Sequence, residues 1–109
     1  IETPSDGTIC LEDHVHPVTA GLPDTIRIPR DEWYTYHSSP RPNVHVLAHV
    51  DEHSYSPASA VRMGDHPVIW TNPNVPARNV YFQFGHDAAL FQQPDFVKMF
   101  ANAIRWALP

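Results

Sequence analysis

Four groups of residues in this 109-residue chain carry side chains able to do chemistry. His14 and His16 stand two apart, so in an extended segment both imidazoles point the same way, the spacing of an HxH metal pair. Asp31-Glu32-Trp33-Tyr34 sets two carboxylates beside two aromatic rings. A carboxylate held against an aromatic wall can have its pKa raised and act as a general acid or base. Gly85-His86-Asp87 directly follows a strand-like run. In open α/β sheets ligand groups gather just beyond the carboxyl ends of strands, which makes His86 a better-placed imidazole than an isolated one. His45 and His49 form the last group, but along a strand four residues span roughly 13 Å, too far for one metal ion.

Each group also has a plain structural reading. Loop histidines beside a proline are commonly hydrogen-bonded or solvated, and His45 and His49 can belong to a polar sheet face. The Asp31–Tyr34 run can be a surface turn whose aromatics staple a loop to the core. Gly85-His86-Asp87 can be a helix-capping turn. Nucleophile arrangements are poor: Cys10 lies in a strand-like run without flanking glycines, so a buried, inert thiol is expected. No serine has a GxSxG setting, and no P-loop or dinucleotide-type glycine turn is present.

The elements that must position these groups read as strands followed by one helix. Thr8–Glu12 and Thr25–Ile28 are short extended pieces, with 30–36 left open. Val44–Val50 alternates, placing Val44, Val46, Ala48 and Val50 on one face and His45, Leu47 and His49 on the other, and Asp51 and Glu52 end it. Val68–Thr71 and Asn79–Phe84 predict an antiparallel pair joined by a seven-residue loop rich in Asn and Pro. Pro94 and Asp95 open a helix in which Phe96, Phe100, Ile104 and Leu108 repeat at i+4, with Val97, Met99, Ala103 and Ala107 widening the apolar surface. Such a helix packs broadly against a sheet, giving an α/β or α+β layer. Trp70 and Trp106 read as core.

Composition limits the function classes. The apolar share of 42% with 17% charged residues is globular, and no apolar run approaches the ~20 residues of a bilayer span. A net charge of −5 without a Lys/Arg cluster disfavours an electrostatic nucleic-acid or anionic-membrane surface. One cysteine excludes an intrachain disulfide framework, and twelve prolines against four glycines predict stiff connections. The chain opens at Ile1 without an initiator Met and reads as a processed chain or as a piece cut from a longer one.

Taken in order, several segments resemble successive blocks of the ThuA-like (trehalose utilisation) family. They are His16-Pro-Val-Thr-Ala-Gly-Leu-Pro23, Asp31-Glu32-Trp33-Tyr34, Val44–Ala48, His66-Pro67-Val68-Ile69-Trp70-Thr71, Arg78–Phe82 leading to Gly85-His86-Asp87, and Ile104–Ala107. One departure is Val75-Pro76-Ala77-Arg78, where the family has a Gly-Lys-Gly-type hairpin. The family belongs to the class I glutamine-amidotransferase-like group, so the resemblance implies a partial flavodoxin-like layered sheet with a C-terminal covering helix. The blocks begin partway through the family's domain, which implies that residues 1–109 are its carboxy-terminal portion. Half of such a sheet exposes an apolar edge and face, predicting self-association, pairing with the missing half, or a rearranged fold.

The same resemblance implies a small carbohydrate as substrate, without cofactor or metal. It places His16, Asp31, Tyr34 and Asp87 around it, with Glu32 and His86 as the catalytic pair: Glu32 for acid/base work and His86 as its partner. Two other readings stand beside it. A non-catalytic carbohydrate-binding module would stack sugars on Trp33, Tyr34 and Tyr36. A metal-dependent site would require His14, His16 and His86 to converge.

Overall fold

A computed structural model gives the fold and describes residues 3–109. β1 (Ser5–Leu11) alternates strictly, with Ser5, Gly7, Ile9 and Leu11 inward and Asp6, Thr8 and Cys10 outward. It pairs antiparallel with β2 (Thr25–Asp31) on one side and with β3 (His45–Ser56) on the other. β3 pairs with β4 (Pro67–Thr71), and β4 with β5 (Tyr81–Phe82), giving the order β2-β1-β3-β4-β5. A 3-10 turn at Ala88–Gln92 leads into α1 (Pro94–Ala107), with proline in its first turn as the sequence predicts.

An α/β chain closed by a C-terminal helix is what the sequence led us to expect; doubly wound, flavodoxin-like layering is not what these strands form. Every strand pairing among the described residues is antiparallel. The physical reason is twofold. Among the described residues no α-helix lies between successive strands to carry a parallel crossover; the one helical turn there, Arg41–Asn43, is three residues long. The outward face is also polar: Thr8, Arg27, Ser54 and their neighbours bond one another there, with the Arg27 guanidinium donating to Thr8 Oγ1 at 2.9 Å and to the Ser54 carbonyl at 2.7 Å. Such a face can meet water and needs no second helical layer.

Other differences are local. β3 does not stop at Asp51 and Glu52 but continues to Ser56, because Asp51 faces out while Glu52 turns inward and finds partners. Leu47 is buried together with Val46 and Ala48, since the register with β4 shifts between Val46 and Ala48. β5 pairs over two residues only. Cys10 is half-buried on the outward face, where burial first, then Asp51 and Glu12, push its thiol up. The left-handed backbone of Arg30 (φ 36°) forms a bulge: from Gly7 to Ser5, β1 uses two steps while β2 uses three, from Ile28 to Asp31. Strict alternation from Ile26 and Ile28 would send Arg30 inward; the bulge puts Asp31 there instead.

The core lies between the sheet and α1 and includes Ile9, Ile28, Leu47, Val68, Ile69, Leu90 and Met99. The helix buries only Phe96, Met99 and Ala103. Contrary to the broad packing expected from its i+4 ladder, Phe100, Ile104 (49% exposed) and Leu108 (58%) face outward, as do Phe91 (53%) and Val97. Beside the short strand β5, Val80, Phe82, Phe100, Ala103, Ile104 and Ala107 line an open groove of about 200 Å³. No described helix is long and apolar enough to cross a membrane.

Candidate functional site

β2 ends at Asp31, and residues 32–36 then run without regular secondary structure. Trp33 anchors this segment. It is fully buried, packs against Tyr55 and Phe84, and its indole N–H donates to the Ser5 carbonyl at 2.9 Å. Gly7 is glycine for this reason: a Cβ there would lie 2.7 Å from the Trp33 ring. Trp33 is therefore core and cannot stack on a ligand, which corrects that part of the binding-module expectation.

Asp31 is buried by the bulge and gathers amides. Oδ2 accepts from Gly85 N at 2.8 Å and Oδ1 from Glu32 N at 2.9 Å, with His86 N at 3.4 Å. Burial pushes its carboxyl up, opposed by these amides. Gly85 has φ +136°, a conformation that side-chain-bearing residues rarely adopt, so glycine is required for its N–H to reach Asp31. Asp31 thus ties the end of β2 to the segment after β5, and Glu32 and His86 meet beside that tie.

Glu32 Oε1 stands 3.7 Å from His86 Nε2, and Glu32 Oε2 accepts from the Tyr34 hydroxyl at 2.6 Å. The carboxylate raises the Tyr34 phenol, which keeps it a donor through the neutral range. The Glu32 and His86 side chains are 29% and 53% exposed, so both reach solvent. A carboxylate with one oxygen held by a phenol and the other facing an imidazole can accept or deliver a proton. Asp87 plays the capping part: Oδ1 accepts from Ala89 N at 2.8 Å at the head of the 3-10 turn, while Oδ2 lies 3.9 Å from Arg30 Nε. The helix-capping reading of Gly85-His86-Asp87 thus holds for Asp87, while His86 stands beside Glu32.

His16 does not join this group. It follows the carboxyl end of β1, whereas Asp31 pairs with Ser5 at the amino end, about 20 Å away at ~3.3 Å per residue. Its ring meets Trp106 edge-on at 4.7 Å, and its Nδ1 accepts from Val18 N. Burial lowers its pKa, against the opposing charge of Asp13. Around it lies a separate ionic surface. His45 Nε2 lies 2.7 Å from Asp13 and His49 Nδ1 2.6 Å from Glu12, and Arg41 bridges Glu12 and Asp65. His14 sits 3.2 Å from Asp24. With His14 on Asp24, His16 on Trp106 and His86 on Glu32, the three imidazoles of the metal reading do not converge. Among the described residues no group of three or more His, Cys, Asp or Glu could hold a metal ion.

Sequence reasoning missed residues behind and beside the site. His66 and Gln83 are buried polar groups reaching the Tyr34 carbonyl, with buried Glu52 behind His66, and only the hydrogen-bond demand of an irregular segment could have flagged them. Tyr81 stacks on Trp70 (centroids 4.5 Å, 18°), and Tyr36 meets Trp70 edge-on. Trp70 is thus only partly core, and the half-exposed Tyr81 extends the aromatic surface next to Tyr34. Trp106 is likewise partly exposed beneath the Arg78 guanidinium, 5.6 Å away.

Comparison with known proteins follows the same segments. Over 95% of its length the chain superposes on a ThuA-like protein from Bacteroides uniformis, with a TM-score of 0.81 and 30% identity. A ThuA-like protein from Parabacteroides merdae shares the fold at a TM-score of 0.67 and 24% identity over 96% of this chain. The chain spans 43% and 39% of the lengths of those two proteins. No curated protein matches it. The family model described as trehalose utilisation matches residues 2–107, so the chain belongs to the ThuA family.

Proposed function

We propose that this chain is the carboxy-terminal portion of a ThuA-like domain acting on a small carbohydrate, with Glu32 as acid/base group and His86 as its partner. The observation that carries the reading is the Tyr34–Glu32–His86 contact chain, assembled from segments on opposite edges of the sheet around the Asp31–Gly85 tie. Tyr34 orients Glu32, and Asp31 fixes the backbone of Glu32 and His86 rather than meeting substrate. Asp87 holds the turn that follows. His16 belongs to the other end of β1 and would reach the same substrate only if the substrate were long.

The piece is incomplete as an enzyme in this reading. Supporting this, it corresponds to less than half of each structural relative, and its helix presents an unpartnered apolar ladder beside a two-residue edge strand. The flavodoxin-like layers of the group would then lie in the remaining part, packed on α1 and β5. The decisive experiment uses the complete domain with a panel of mono- and disaccharides including trehalose. Glu32→Gln and His86→Ala should each abolish most turnover while sugar binding by calorimetry persists; full turnover in both variants sinks the assignment.

A second reading is a non-catalytic carbohydrate-binding module. The stacked, half-exposed Tyr81 over Trp70, next to Tyr34, favours it, because flat aromatic faces bind sugar rings. Affinity without product in the same assay selects this reading.

A further inference from the structure

Tyr34 is half exposed, yet its hydroxyl keeps a 2.6 Å hydrogen bond to Glu32. Its segment, 32–36, has no strand or helix ladder to fix it, so its backbone groups must be held by side chains. The Tyr34 carbonyl is gripped from inside by two buried donors, His66 Nε2 at 2.8 Å and Gln83 Nε2 at 3.2 Å. A carbonyl only accepts, so His66 Nε2 carries a proton. His66 Nδ1 faces Glu52 Oε2 at 3.0 Å, with the Tyr55 hydroxyl farther off at 3.5 Å and the Tyr36 ring edge-on at 6.4 Å. Glu52 is itself immobilised: Met63 N and Gly64 N donate to its two oxygens at 2.6 and 3.0 Å. Burial pushes the Glu52 carboxyl up, but these amides and His66 outweigh it and hold it ionised below its ordinary value.

We infer that His66 is a positioning residue for Glu32, transmitting the fixed location of Glu52 to the Tyr34 carbonyl and so setting the phenol that holds the Glu32 carboxylate. The chain of contacts is continuous: loop 63–64 to Glu52, Glu52 to His66, His66 to the Tyr34 backbone, the Tyr34 phenol to Glu32. An imidazole with an oxygen acceptor at each nitrogen cannot rotate without losing both contacts. That makes it a better strut than a single-headed donor such as Gln83. His66 never touches substrate in this scheme. Its importance for activity rests on the reading of Glu32 as the acid/base group.

Two conservative variants divide the strut. In His66→Asn the side-chain amide stands where Nδ1 was, keeping a donor toward Glu52 and removing the one toward Tyr34. In His66→Gln the longer amide reaches the Nε2 position and keeps the Tyr34 contact. The readout is ¹³Cζ-tyrosine NMR of the chain, whose four tyrosine signals are assigned by Tyr→Phe substitutions. In His66→Asn the Tyr34 signal should move to the position of a free phenol and its alkaline titration midpoint should fall toward the ordinary tyrosine value. His66→Gln should restore most of the parent behaviour, and Tyr55→Phe should change neither. A Tyr34 signal and titration identical in parent and folded His66→Asn would overturn the inference, as would equal disturbance by the Asn and Gln variants. Full turnover of the complete domain carrying Glu32→Gln, alongside a moved Tyr34 signal, would defeat the acid/base reading and leave the positioning link standing, so the two fail separately.

Discussion

The Tyr34 hydroxyl donates to Glu32 Oε2, two residues before it in the chain, and leaves the other carboxylate oxygen turned to an imidazole. A residue pair this close in sequence adds little to fold stability, because Tyr34 is half exposed and Glu32 reaches solvent. Its value lies in orientation. Glu32→Gln in the complete domain should therefore lower turnover by about 10²–10⁴-fold, the usual contribution of a general acid or base. Tyr34→Phe, which frees the carboxylate without removing it, should cost about tenfold. Both variants should unfold within ~0.5 kcal/mol of the parent in denaturant melts, so a large loss of stability would mark the pair as structural instead.

How much of this was legible in the sequence depends on which force decides each feature. The helix from Pro94 and the hairpin of β4 and β5 follow from local periodicity and proline placement, and both are present. The meeting of Asp31, Glu32, Tyr34 and His86 came from family resemblance; no spacing rule joins positions 32 and 86. The burial of Asp31 was hidden because it depends on a bulge at Arg30, a non-glycine residue with positive φ. His66 and Gln83 were hidden because their partner is a backbone carbonyl, which any residue would have supplied. Trp33 stands between two readings, core staple and sugar platform, because an aromatic ring beside carboxylates looks the same in sequence whether it faces a ligand or the core; burial decides for the staple.

The acid side of the stability curve should show two carboxylates working in opposite directions. Burial raises Asp31, so the folded chain holds that proton more tightly than the unfolded one. Its contribution is complete below the ordinary carboxylate value near 4 and is lost as pH rises through the folded value. Asp13 is lowered from 3.8 to about 2 by the His16 amide and the His45 ring, so its contribution is present above ~4 and is lost as pH falls toward about 2. Thermal melts from pH ~2 to ~7 should show Asp13→Asn flattening the curve below ~4 and Asp31→Asn flattening it just above. At neutral pH Asp31→Asn should also cost about 1–3 kcal/mol, because one of its two amide partners would then face a donor.

The Trp33 anchor gives a paired test of packing. Trp33→Ala should destabilise the chain by about 3–5 kcal/mol through the cavity and the lost bond to Ser5. Gly7→Ala pushes a methyl into the same ring from the other side and should cost about 1–3 kcal/mol. Combined, the two should be less than additive, since removing the ring makes room for the methyl. Additive losses in urea melts would show that Gly7 matters for backbone reasons and not for the ring.

The exposed ladder on α1 should govern association. In isolation at micromolar concentration the chain should elute with a concentration-dependent mass by size exclusion with light scattering. Ile104→Lys combined with Leu108→Lys should shift it toward monomer with little loss of melting temperature, because both side chains are already about half exposed. A well-dispersed parent monomer would count against the apolar face as a docking surface.

The Asp31–Gly85 bond spans 54 positions of sequence and links elements at the two rims of the sheet. Closing so long a segment brings an entropic penalty that only the intervening strands, once paired, can offset. The Tyr34–Glu32–His86 contacts beside it should therefore form late in folding, after β1, β3 and β4 have paired. A nick in a loop between the two rims should therefore part Glu32 from His86 before it unravels the helix.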